Sequence, residues 1–179
     1  MEVVFVRHGI PDYKLSDERK MTQLEKDYAP LNRDHIPDIQ TLSLDSVFKG
    51  AQIIISSPYT RALQTAEIIN RKLVLDLFVE HDLREWRADL DGGYIDLDER
   101  DRRWVEYRQN LKCKCVSTSA NYETTSHLQK RVIDVLNRFR HYEKIVVVSH
   151  LNVYESLFGF QEQTIGCGGY RLFDLSQVS

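Results

Sequence analysis

Short, uninterrupted apolar runs alternate along this chain with stretches of helical period. The first run, Val3 to Val6 (V-V-F-V), ends abruptly in Arg7, His8 and Gly9. Valine and phenylalanine without interruption suit a strand buried on both faces, and the glycine that follows allows a sharp turn. Gln52–Ser56 (Q-I-I-I-S) and Lys144–Ser149 (K-I-V-V-V-S) are runs of the same kind, and Leu75–Val79 reads as a further strand. Gly168–Leu175 reads as a closing strand, with Gly166, Gly168 and Gly169 allowing the turn before it. Between the runs, Ala62, Ala66, Ile69 and Leu73 recur at spacings of four, three and four, which predicts a helix. Ser57 is the expected cap of that helix and Pro58 its first residue. Ser126–Tyr142 is the clearest amphipathic helix, with Leu128, Val132, Val135, Leu136 and Phe139 on one side. A charged helix through about Asn110 carries Trp104, Tyr107 and Leu111 on one face, expected to pack. A mixed spacing predicts a short helix from about Pro37 to Phe48. Strands alternating with helices argue for an α/β fold whose largely parallel sheet is covered on both faces.

The polar remainder has no such period. Ile10–Asp45, interrupted by Pro11, Pro30 and Pro37, and Arg87–Tyr122, with mixed charges around Gly92 and Gly93, read as segments that cover a binding site. The expectation is one domain over residues 1–179 with covering segments at about 10–45 and 87–122. Tyr13 and Trp86 are candidates for the entrance to the site, with packing as the alternative.

Composition narrows the function classes. Apolar residues make up 42% and charged residues 28%, as in ordinary soluble globular proteins. A formal net charge of −3 supplies no global attraction for nucleic acid or membrane, so a bound anion needs a local cluster of cations. Met1 leads directly into the first strand without a signal-like region, and no run reaches transmembrane length, so a cytoplasmic protein is expected. Cys113, Cys115 and Cys167 are an odd number and the close pair is C-K-C, which predicts reduced thiols. No zinc-type spacing accompanies them, so neither a metal nor another cofactor is expected. Nothing in the sequence sets the oligomeric state.

Candidate chemistry gathers at strand and helix ends. Arg7 and His8 lie at a strand's carboxyl end, where open α/β sheets bind ligands. His150 repeats the arrangement after K-I-V-V-V-S. Arg61 falls in the first turn of its helix, where a cation opposes the helix dipole unless an anion sits there too.

Four fragments, V-R-H-G at Val6–Gly9, S-S-P-Y-T-R-A-L-Q-T-A at Ser56–Ala66, L-R-E-W at Leu83–Trp86 and V-V-S-H at Val147–His150, together resemble the histidine phosphatase (phosphoglycerate mutase-like) superfamily. The resemblance implies a three-layer α/β/α sandwich around a mixed, mostly parallel sheet, and a phosphohistidine intermediate. It makes His8 the matching nucleophile, Arg7, Arg61 and His150 the matching phosphate-binding residues, and Glu85 the matching proton donor. Asp82 and Asp89 are close enough in sequence to compete for that last role. The chemistry is coherent: a transferring phosphoryl group needs converging cationic donors, a neutral imidazole held by an acceptor on its other nitrogen, and an acid for the leaving alkoxide. The implied function is a metal-independent phosphatase acting on a phosphorylated small molecule or phosphoprotein. A phosphoglycerate-type mutase and a non-catalytic phospho-ligand-binding module are the alternatives. Three departures from the family pattern stand out: Leu151 replaces the usual glycine after the second histidine, Ile10-Pro11 continues the first motif, and Lys14 stands where mutases commonly carry asparagine. These differences weaken the mutase reading and leave the phosphatase chemistry standing.

Overall fold

A computed structural model describes residues 1–115 and 121–178. The chain runs β1 (Glu2–Arg7), α1 (Lys14–Glu18), α2 (Gln23–Asp27), α3 (Ile36–Leu42), β2 (Ile53–Ser56), α4 (Thr60–Leu73), β3 (Asp76–Val79), α5 (Leu97–Cys113), α6 (Thr125–Arg138), β4 (Lys144–Ser149), α7 (Leu151–Phe158) and β5 (Tyr170–Asp174). The strands form one sheet in the order β3-β2-β4-β1-β5. β1, β2, β3 and β4 are parallel, and β5 pairs antiparallel with β1.

Alternation along the central strands builds two apolar layers. Val3, Phe5, Ile53, Ile55, Ile145 and Val147 pack against α5, α6 and α7 through Tyr107, Val132, Val135 and Val153. Val4, Val6, Ile54, Val146 and Val148 pack on the other face against Ile39 of α3 and Ala62, Ala66 and Ile69 of α4. Each fully buried aliphatic side chain stabilises the fold by about 1.5–3 kcal/mol relative to exposure, so strands apolar on both faces fix the three layers. Among the described residues no helix is long and apolar enough to cross a membrane.

Local differences from expectation have physical reasons. The predicted helix over Pro37–Phe48 is two pieces: α3 ends at Leu42, and Asp45 accepts a hydrogen bond from the Val47 amide to start a 3-10 turn over Ser46–Phe48. Tyr59, not Ser57, precedes α4, and it contributes no side-chain cap. No helix is expected after His150, yet α7 begins at Leu151. Its residues Asn152 to Leu157 are all buried, so it has no polar face to give a helical period. Leu151 thereby takes ordinary helical backbone, and that conformation does not call for glycine. Gly9 has no positive φ. A Cβ there would lie 3.0 Å from Leu31 and 3.1 Å from Ile39, so close packing rather than a turn favours glycine, and a side chain would need these neighbours to shift. Cys113 and Cys115 are joined in a disulfide, contrary to the expected thiols, while Cys167 is free. Lys114, in left-handed conformation at the end of α5, folds the two cysteines to a Cα separation of 5.2 Å, which a disulfide can span.

Candidate active site

Strand register brings the two histidines together. In the parallel pair β1–β4, Arg7 is opposite Ser149, so His8 and His150 each stand one residue beyond the last registered pair. Their ring centres are 5.0 Å apart, edge to face. Both side chains are buried, His8 at 4% and His150 at 0% exposure, which matters because burial disfavours a charged imidazole.

His8 is held with one nitrogen free. Its Nδ1 lies 2.7 Å from the Gly9 carbonyl, which can only accept, so Nδ1 carries the proton and Nε2 keeps its lone pair. Arg61 points its Nε–H at that lone pair from 3.4 Å. Burial, then the charge of Arg61, lowers the His8 pKa to about 3. The residue after His8 is tied to α4: the Gly9 amide donates to the Thr65 hydroxyl (3.0 Å), which in turn donates to the Arg61 carbonyl within the helix (2.7 Å). From the other side, the Gly168 amide donates to the carbonyls of Arg7 and His8. Gly168 has φ +73°, and a Cβ there would lie 3.0 Å from Ile39. A side chain at this position would be strained and crowded where the backbone supports His8.

Arg61 is buried in the first turn of α4, with its guanidinium 5.0 Å from the ring centre of Tyr59 and 5.7 Å from that of Tyr13. Such stacking holds a guanidinium without neutralising it. Arg7 donates through Nη1 to the Ile165 carbonyl at 2.7 Å, and its buried Nε has no partner among the described residues. The Nδ1 of His150 is likewise unpartnered, while its Nε2 shares a 2.7 Å hydrogen bond with the Ser57 hydroxyl. Burial first, then Arg61 and His8, push the His150 pKa well below 6.5. Ser57 thus belongs to the site and not to a helix cap. The S-S-P sequence looks like a capping signal, and only the pairing of β2 beside β4 shows that Ser57 meets His150.

The three neighbouring carboxylates differ in surroundings. Burial is the largest influence on Glu85 and raises its pKa, opposed by the Trp86 amide, which donates to Oε1 at 2.8 Å, and by Arg61 and Arg7. For Asp82, burial is outweighed by the hydrogen bond and charge of Arg84, 2.6 Å away, and the pKa is lowered. For Asp89, burial is outweighed by Arg103 at 2.8 Å and by the Gly93 amide. Only Glu85 of the three lines the cavity that contains Arg61, a space of about 330 Å³.

The walls of this cavity come from both polar segments. Tyr13, Lys26 and Asp27 contribute from one side; Arg100, Asp101 and Trp104 contribute from α5; Asn152 closes the sheet end. Trp86 lines it too, while stacking on Tyr107 and Tyr122. Trp104, expected to pack with Tyr107 and Leu111, is 41% exposed and faces the cavity instead. A second cavity of about 420 Å³, lined by residues such as Asn110, Gln129 and Phe158, contains none of the candidate site residues. Among the described residues no group of three or more His, Cys, Asp or Glu is placed to hold a metal ion.

Two arginines and two buried imidazoles thus gather at the carboxyl edge of a mixed α/β sheet, and of the candidate site residues Arg61 and Glu85 line the cavity. Residues 3–163 match the model of the histidine phosphatase superfamily (branch 1), and the chain belongs to that superfamily. Among solved structures, a mycobacterial glucosyl-3-phosphoglycerate phosphatase in complex with VO3 is similar with a TM-score of 0.73 at 16% identity, over 99% of this chain and 94% of that one. A putative alpha-ribazole-5'-P phosphatase from Escherichia coli is similar with a TM-score of 0.66 at 21% identity, over 97% and 90% of the two chains. No curated protein sequence gives a significant match.

Proposed function

We propose that this chain hydrolyses phosphomonoesters through a phosphohistidine on His8. The observation that carries the reading is the fixed tautomer of His8: Gly9 holds Nδ1–H, and Nε2 faces Arg61 in a buried, neutral ring. Arg7, Arg61 and His150 bind the phosphoryl oxygens with charge-assisted hydrogen bonds. Nε2 attacks phosphorus in line, the P–O bond to the ester oxygen breaks, and Glu85 delivers its proton to the leaving alkoxide. The resulting Glu85 carboxylate then takes a proton from water, which attacks the phosphohistidine, breaks the P–N bond and releases phosphate. Burial raises the Glu85 pKa, the direction that suits it to begin as an acid. The names of the two structural relatives support a small phosphorylated molecule as the substrate class.

The test is release of phosphate from p-nitrophenyl phosphate by the wild-type protein beside His8→Ala. Turnover that His8→Ala loses supports the proposal. Equal background rates in both overturn it, and tight phosphate binding without turnover identifies a binding module instead.

A further inference from the structure

Glu85 sits in a loop, yet its surroundings are unusually constrained. Arg131, on α6, is buried and absent from the cavity wall. Its guanidinium forms a fork on Glu123, with Nε to Oε1 at 2.7 Å and Nη2 to Oε2 at 2.8 Å. The remaining N–H groups turn to the Glu85 loop: Nη1 donates to the Asp82 carbonyl and Nη2 to the Glu85 carbonyl at 3.2 Å. Glu123, only 1% exposed, completes the hold. Its carboxylate accepts from the Arg87 amide at 3.3 Å, its amide donates to the Arg87 carbonyl at 2.9 Å, and its carbonyl accepts from the Trp86 indole at 2.7 Å. One ion pair therefore engages the loop on both sides of Glu85.

A buried ion pair is a poor way to gain stability, because desolvating two charges offsets most of their attraction, and apolar residues of similar size often do as well. What apolar residues cannot do is satisfy the carbonyls of Asp82 and Glu85, which would then be left unpaired. The specific effect of this pair is on loop geometry. Displacing a catalytic group by an ångström lowers rate far more than it lowers stability.

We infer that the Arg131–Glu123 pair is the positioning device for the proton donor, fixing the Glu85 backbone so that its carboxyl faces the leaving oxygen. This rests on the phosphohistidine reading and extends it to two residues that touch neither the substrate nor His8.

The experiment uses Arg131→Met combined with Glu123→Gln, which removes the pair without stranding one charge in the interior, and confirms folding by thermal unfolding. kcat/KM is measured for p-nitrophenyl phosphate, whose leaving group departs without a proton, and for glycerol phosphate, whose alkoxide needs one. Because kcat/KM reports the steps up to phosphoryl transfer, later hydrolysis of the phosphohistidine does not mask the difference. The expected result is a fall of about tenfold or more on the alkyl ester with an aryl rate within about threefold of wild type. In a Glu85→Gln background the same change is expected to have no further effect on the alkyl ester. Equal losses on both esters, or an unchanged alkyl rate, overturn the inference. A wild-type protein with no His8-dependent turnover of either ester removes the parent reading and this one with it.

Discussion

His8 and His150 meet edge to face at 5.0 Å, one residue past the registered pair Arg7 and Ser149. This relationship makes a site from two strand ends far apart in sequence. It also places two imidazoles in a buried space beside two arginines, so neither ring takes up a proton easily.

That burial makes stability depend on pH. In the unfolded chain a histidine titrates near 6.5, whereas folded His8 titrates near 3 and His150 well below 6.5. Below 6.5 the unfolded chain therefore binds more protons, and stability falls as pH falls through the window from 6.5 towards 3. Between pH 7.5 and 5 the His8 ring is expected to cost about 2 kcal/mol, with His150 acting in the same direction. Urea unfolding at the two pH values checks this, and His8→Gln should remove about 2 kcal/mol of the difference.

Ser57 is the nearest hydrogen-bonding partner of the second histidine. Ser57→Ala is expected to free His150 Nε2 and lower kcat/KM on p-nitrophenyl phosphate by about tenfold, while lowering stability by about 1 kcal/mol. Steady-state kinetics beside urea unfolding read both effects. An unchanged kcat/KM would place Ser57 outside the chemistry.

Much of the frame was legible because β1 and β4 are buried on both faces, which leaves runs such as V-V-F-V and I-V-V-V unmistakable. The order of the strands was not, since nothing local states that β4 lies between β1 and β2. α7 has no helical period in the sequence because it buries polar residues such as Asn152 and Glu155 along with apolar ones. Arg131 was hidden for a related reason: on an amphipathic helix an arginine reads as solvent-facing until Glu123 is brought to it. Arg7, His8, Arg61 and His150 stand out by their places at strand and helix ends, whereas Glu85 and the joint roles of the five rest on family-like fragments. Their convergence depends on strand register and on the loop that follows Leu83, neither of which is written in any one stretch.

Trapping the covalent intermediate tests whether His8 carries the phosphoryl group. The protein is mixed with a phosphomonoester, quenched in alkali within the first turnovers, digested and examined by mass spectrometry. A phosphohistidine mechanism puts an acid-labile, base-stable phosphoryl group on the peptide containing His8, absent from His8→Ala. A phosphoryl group on Ser57 or another serine, accompanied by turnover that persists in His8→Ala, would contradict it.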